Sequence, residues 1–453
     1  MTSASSFSTD TRPGAMRVDS VVSFTQSRRA STNSGPYEAV VVGAGPAGIT
    51  AVGNLLESRI EPVLWVDDAF NGGRVNKYYR EVPSNTKVKL FIDFATAVTP
   101  FRKIVSGVPS RDRWEEPSAS DGVAVGNKPD RLQDLRQLDA EKGCRLSHAA
   151  DMCLLLTEGL KKTPGVVAQQ GRVAEASLDE SSQIWTINIE RQSHPVQSKR
   201  IVLCTGASPT DPPLPVEPEG LEHLHLDTAL SPTKLSQILS PLGPTTVAVI
   251  GASHSAVLVL MNLSRLSLSS KPDLKIKWFT RHPLRYAEYE ESFIARDNTG
   301  LKGQAAQWAK DNLEPETLPN SPVSQCITKI AHDKGGEKEI YAEHLPGCAF
   351  VVQAIGYRSD PTPILKLGGE AITPVFDHEK GIFHHVKKLS HEGAPEGLKP
   401  LPGVYGAGIA FPERVVDRKY GHEEMNVGFF KFMKAVKKWV PGWKAVGGGE
   451  ATV

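Results

Sequence analysis

Two stretches of this chain share one local grammar. Residues 39–57 read AVVVGAGPAGITAVGNLLE, and residues 247–263 read VAVIGASHSAVLVLMNL. Each is an apolar run, a turn of small residues, then a helix-like period. A strand that feeds a tight turn and a helix leaves N–H groups at the helix start, where anions bind. Each copy therefore asks for a β-turn-α-β unit, which restricts the fold more than anything else in the sequence.

In the first copy Gly43, Gly45 and Gly48 fit G-x-G-x-x-G, with Pro46 and Ala47 opening the helix. The first glycine permits the turn, the second lets backbone approach a pyrophosphate, and the third lets helix pack on strand. PVLWV at residues 62–66 reads as the next strand, followed by Asp67 and Asp68. An acid about twenty residues past the glycines is placed to hold ribose hydroxyls, and Asp67 is preferred over Asp68. NGGRV at 71–75 adds Gly72, Gly73 and Arg74, a loop that lets backbone pass close to a bulky ligand.

The second copy keeps Gly251 but carries Ser253 and Ala256 at the other two glycine positions. Both are small enough for phosphate approach and helix packing, and Ser255 can add a phosphate hydrogen bond. The following strand ends KIKWFTR at 275–281, with Arg281 where an acid is expected. An acid repels a ribose 2′-phosphate and an arginine fork binds it, so NADPH is expected over NADH, with Arg285 a second candidate.

The order of strand-like runs is that of an α/β protein with two nested Rossmann-like dinucleotide-binding domains, the second inserted into a discontinuous first. The expected boundaries are a disordered tail at 1–36, a first part at 37–218 with a polar excursion at 106–145, an inserted domain at 219–370, and a returning part at 371–453. PTDPPLPVEP at 209–218 reads as a stiff connector. A closing helix is expected from about Glu424 to Val440, ending before Pro441.

Composition excludes several classes. A formal net charge of +1 over 453 residues points to neither nucleic acid nor anionic lipid. Five scattered cysteines, with no C-x-x-C, argue against a disulfide framework, a zinc site or a redox dithiol, and no metal is expected. No run is long enough to span a membrane. The Ser- and Thr-rich start lacks the apolar stretch of a secretory signal. It reads as a tail on a cytoplasmic protein, with a mitochondrial transit peptide as the alternative.

Over residues 37–438 these motifs resemble the two-dinucleotide-binding flavoprotein superfamily of flavin monooxygenases, N-hydroxylases and pyridine nucleotide-disulfide oxidoreductases. The resemblance implies FAD in the first cradle and NADPH in the second. IVLCTG at 201–206 resembles the strand that closes the FAD domain, bringing in Thr205 and Gly206. GVYGAG at 403–408 resembles the late FAD-contacting strand, with Gly408, and GRVAEA at 171–176 the segment beside the adenine, with Val173. The SNT stretch at 84–86 resembles the one near the flavin in flavin monooxygenases, which makes Asn85 a polar partner of flavin or substrate. EEMNVGFF at 423–430 is expected to put Asn426 and Gly428 at or near a helix start aimed at the flavin pyrimidine.

Disulfide reductases of this superfamily need two cysteines close to the flavin, and neither Gly-loop region here supplies a pair. Ile409 stands where those reductases place an acid after the last glycine. Both departures favour a monooxygenase acting on a small organic substrate. The alternatives are an NAD(P)H oxidoreductase serving a quinone or protein acceptor, and a flavin-binding redox sensor or interaction protein. One signature departs from the monooxygenases. Residues 218–230, PEGLEHLHLDTAL, have no Phe before Gly220, and His223 and His225 flank the position where F-x-G-x-x-x-H puts its histidine. Both are read as surface residues, with His225 the alternative equivalent.

Overall fold

The computed structural model describes residues 35–107, 132–385 and 397–445. The strand Ala39–Val42 is buried on both faces, as its unbroken apolar run requires, and pairs in parallel with Val63–Asp67 and Ile201–Leu203. Val166–Gln170 extends the sheet on one side. On the other it continues through Lys399–Gly406 and the antiparallel strands Ile382–His385 and Pro374–Asp377. The first cradle is thus completed by chain from both ends of the sequence.

This sheet is a middle layer. One face packs on helices Pro46–Glu57, Val88–Ala95, Leu146–Leu160 and Phe429–Ala445, through Leu55, Phe91, Phe94, Leu156 and Trp439. The other face, through Val40, Leu64 and Val66, packs on a five-stranded sheet that includes Val173–Asp179 and Ile184–Ile189. Its strand Ile364–Leu367 comes from a segment that the sequence assigns to the inserted domain, and Glu370–Ile372 straddles the expected boundary after residue 370.

A second parallel sheet runs in the order Glu222–His223, Phe350–Gln353, Thr245–Ile250, Leu274–Thr280, Ile327–Ala331. The apolar helix His254–Ser269 covers one face, and Tyr341 and Leu345 cover the other. No helix among the described residues is long and apolar enough to cross a membrane.

Three local readings change. The end of the supposed excursion is packed, with Leu132 and Leu135 in the main core and Gly143–Arg145 paired with Pro83–Lys87. Residues 108–131, and residues 1–34 of the tail, lie outside the described residues. The last helix begins at Phe429, not Glu424, because Glu423–Asn426 forms a hairpin with Glu413–Val416. It also continues through Pro441. Proline costs a helix one hydrogen bond, but Trp443 beyond it is buried, stacks on Tyr405 at 4.7 Å, and accepts Arg200 Nε at its carbonyl. Tertiary contact holds that final turn.

Candidate functional site

The first cradle is closed so tightly that Gly43, Gly48 and Gly408 are steric requirements. Gly43 has φ +107°, and a Cβ there would lie 2.4 Å from the Cys204 carbonyl oxygen. A Cβ on Gly48 would lie 1.8 Å from the Gly43 oxygen, and one on Gly408 would lie 2.4 Å from Ala47 Cβ. Pro46 is the first helical residue after the N-cap Gly45, where no side chain caps the helix. Its first N–H groups are therefore left for an anion. Gly73, at φ +72°, brings the NGG loop onto Gly45.

Asp67 closes the strand Val63–Asp67, and its carboxylate accepts backbone N–H groups from Ala44 at 2.7 Å, Ala69 at 2.8 Å and Phe70 at 2.6 Å. These bonds fix the acid beside the cradle. Asp68 next to it is exposed, and its carbonyl accepts Gln170 Nε2. Gly171 N donates to the Asp67 carbonyl, which carries Val173, two residues on, toward the same end of the sheet. Thr205 and Gly206 follow the strand Ile201–Leu203. Thr205 Oγ1 is buried and has no hydrogen-bond partner among the described residues. A buried orphan hydroxyl beside an uncapped helix start fits a phosphate-bearing cofactor.

The second cradle repeats this construction. Gly251 has φ +130°, and a Cβ there would lie 2.4 Å from the Ala354 oxygen. Ser253 is the N-cap of the helix His254–Ser269 and makes no side-chain cap bond. Both cradles share a device that sequence reasoning missed. Trp65 Nε1 donates to the Gly43 carbonyl at 2.9 Å, and Trp278 Nε1 donates to the Gly251 carbonyl at 2.7 Å. The only signal was a tryptophan in each second strand. Two residues past Trp65 stands Asp67, and two past Trp278 stands buried Thr280, so the acid's place holds Thr280 and the expected Arg281 stands one residue beyond it.

Above the second cradle opens a cleft of about 710 Å³. Gly251, Ser253, Arg281, Arg285, Lys338 and Pro213 are among its lining residues. The proline connector therefore walls this cleft as well as joining domains. Arg281 is paired with Glu337 at 3.3 Å. Ser255 lies within hydrogen-bond reach of Tyr357, whose hydroxyl burial pushes up from its ordinary value.

Other expected residues sit differently. Arg74 follows the first cradle's loop but is ion-paired with Asp227, and its Nη1 bonds Ser208 at 3.3 Å. Asp227 is nearly buried and also accepts Tyr79 Oη at 2.7 Å. Asn85 is exposed on the strand Pro83–Lys87, with its Cα 3.7 Å from where a Cβ on Gly303 would stand. Asn426 ends a strand and does not start a helix, and its amide bridges Asn298 at 3.3 Å and Glu413 at 3.2 Å. Gly428 does directly precede the helix Phe429–Ala445, and its carbonyl accepts Phe432 N. His223 pairs with Asp211 at 2.9 Å on the connector, and His225 caps the short helix Leu226–Ala229.

Two further clusters bear on the chemistry. All five cysteines are free, and burial raises the Cys153 and Cys204 thiols well above their ordinary range. Such thiols are poor nucleophiles. Asp417, His422 and Glu424 have spacing that could hold a metal ion. Their carboxylates are instead engaged by Arg296 N, Lys419 N and Tyr420 N on Asp417, and by Asn298 and Thr299 on Glu424.

The model of the pyridine nucleotide-disulphide oxidoreductase family matches residues 37–270. Monooxygenase AgnR1 of Paecilomyces divaricatus is 45% identical over 412 residues, covering 90% of this chain and 98% of that protein. Among solved structures, the FAD-bound cadaverine monooxygenase DfoA of Erwinia amylovora superposes with a TM-score of 0.55 at 12% identity, over 92% of this chain and 97% of that one.

Proposed function

The chain belongs to the pyridine nucleotide-disulphide oxidoreductase family and is a flavin- and pyridine nucleotide-dependent oxidoreductase; on that footing we propose that it is an FAD-dependent monooxygenase that draws electrons from NADPH and oxygenates a small organic substrate. One observation carries the reading. Both nucleotide cradles are complete, yet the chain has no dithiol to receive electrons, and its two buried thiols near the first cradle are held protonated. The 45% identity to a named monooxygenase supports the same branch.

When bound, FAD supplies the electron transfer and the activation of oxygen. The protein's own residues bind and orient. Backbone N–H groups of Gly45, Ala47 and Gly48 hold the pyrophosphate, Asp67 takes ribose hydroxyls, and Thr205 donates its buried hydroxyl to the cofactor. Val173, Gly206 and Gly408 give the FAD its backbone walls. Gly251, Ser253 and Ser255 hold the NADPH pyrophosphate, and Arg281 with Arg285 holds the 2′-phosphate. Asn85 is the polar partner of flavin or substrate. In this reading the FAD-binding part comprises residues 37–218 and the returning chain, and the free cysteines suit a reducing cytoplasm.

The test is NADPH oxidation by the purified yellow protein, with and without oxygen, over a panel of amines, sulfides and ketones under ¹⁸O₂. Substrate-stimulated NADPH use with label in the product is expected. Turnover that persists without oxygen when a quinone is supplied, with no label incorporated, overturns the reading. Protein that carries no flavin overturns its premise.

A further inference from the structure

The same cleft holds an anion of the protein's own where an anion of the cofactor is expected. Glu337 opens the helix Glu337–His344, and its Oε2 accepts Gly335 N at 2.7 Å. Its Oε1 lies 3.3 Å from Arg281 Nη1. Its own backbone N–H, that of Gly335 and the Arg281 guanidinium hold the carboxyl below the usual range, so it is charged at neutral pH. Glu337 and Arg281 both line the cleft that contains Gly251 and Ser253. Arg281 also faces a side chamber of about 370 Å³ with Lys329 and His332, so it stands at a fork between two spaces.

We infer that Glu337 is a specificity-determining residue that competes with the nucleotide's 2′-phosphate for Arg281 and so weakens the preference for NADPH over NADH. This rests on the reading of the cleft as the pyridine nucleotide site. A 2′-phosphate needs the guanidinium that Glu337 occupies, and meets carboxylate repulsion when it arrives. A 2′-hydroxyl has the opposite experience, because it can donate a hydrogen bond to that carboxylate. Arg281, Arg285 and Lys338 pull toward the phosphorylated cofactor, and Glu337 pulls back. An arginine at the strand end thus sets the direction of the preference, and the acid facing it sets the size.

Glu337→Gln keeps the side-chain size and the acceptor for Gly335 N while removing the charge. The probes are 2′,5′-ADP and 5′-AMP, whose binding to the flavin-loaded protein is measured by calorimetry. The variant is expected to bind 2′,5′-ADP about five- to tenfold more tightly, with 5′-AMP changed less than twofold and the gain shrinking in high salt. The NADPH-to-NADH ratio of kcat/KM should rise by a similar factor. Equal tightening of both probes, or of neither, overturns the inference. Unchanged flavin content and melting temperature identify a folded variant, and Glu337→Ala repeats the test without the amide. If neither probe binds wild type at millimolar concentration, the cleft is not a nucleotide site and both this inference and the NADPH reading fall. Failure to find oxygenation, with probe discrimination as stated, sinks only the proposed activity.

Discussion

Tyr79 donates its hydroxyl to Asp227 over 2.7 Å, and so ties the segment after the first cradle to the segment before the second. Arg74 is paired with the other oxygen of the same carboxylate, and Tyr357, after the strand Phe350–Gln353, lies 3.4 Å from Tyr79 Oη. The two nucleotide-binding parts therefore meet through a small polar ring around one nearly buried acid. Electrons have to pass between the two cofactors, so their relative placement matters, and this ring is one of the contacts that set it.

Removing Asp227 leaves the Arg74 charge and the Tyr79 hydroxyl without their shared partner. Asp227→Ala is expected to destabilise the protein by about 3 kcal/mol, whereas Tyr79→Phe costs about 1 kcal/mol. Urea denaturation of the flavin-loaded protein measures both. Arg74→Met combined with Asp227→Leu should recover much of the loss, since it removes both charges together. Additive losses in the double variant would show that the pair is not a unit.

The glycines separate the two cofactors experimentally. Gly48→Ala places a Cβ 1.8 Å from the Gly43 oxygen, so the purified variant should lack flavin absorbance. Gly251→Ala forces a Cβ to within 2.4 Å of the Ala354 oxygen at a φ of +130°. That variant should stay yellow, be reduced by dithionite as wild type is, and be reduced by NADPH at least about tenfold more slowly. A colourless Gly251→Ala protein would mean that the two cradles do not fold independently.

Trp65 and Trp278 predict a matched pair of losses. Each indole donates to the carbonyl of its cradle's first glycine. Trp65→Phe should cost about 1–2 kcal/mol of stability and weaken flavin retention, while Trp278→Phe should cost a similar amount and leave flavin content alone. Thermal melting with flavin release as the signal distinguishes them. Equal flavin loss in both variants would contradict the equivalence.

Residues that act through their neighbours in sequence were legible from it. The cradle glycines, Asp67 and the lack of an acid at the end of the second cradle's strand follow from a turn, a helix start and a strand end, all within about thirty residues. Arg74 is expected from the sequence only as part of a cofactor loop, whereas its partner Asp227 lies about 150 residues away, and no local pattern pairs them. Glu337 reads locally as an ordinary acid at a helix start, and only the fold sets it against Arg281. Asn426 was misplaced because EEMNVGFFKF has helical composition, while tertiary bonds from Asn298 and Thr299 to Glu424 hold residues 423–426 as a strand. The same override carries the last helix through Pro441. Propensity loses wherever buried partners are specific.

His254 gives the pH prediction. It is the first residue of the second-cradle helix, and its Nδ1 is buried with no hydrogen-bond partner among the described residues. Burial, helped by the Lys302 cation, holds its pKa down to about 4, against an ordinary value of 6.5. Above pH 6.5 neither the folded nor the unfolded state carries the proton, and the imidazole costs nothing. As pH falls from 6.5 toward 4 the unfolded chain takes up a proton that the folded protein refuses, so stability is lost at about 1.4 kcal/mol per pH unit. Below about pH 4 both states are protonated and the loss levels off. Carboxylates titrate in the same range, so the measurement is the difference between wild type and His254→Gln. The two should melt with a constant offset above pH 7, and the wild type should fall relative to the variant by roughly 3 kcal/mol on reaching pH 4. Parallel melting curves across that interval would show that the imidazole is protonated in the folded protein at an ordinary pH, and that solvent reaches Nδ1.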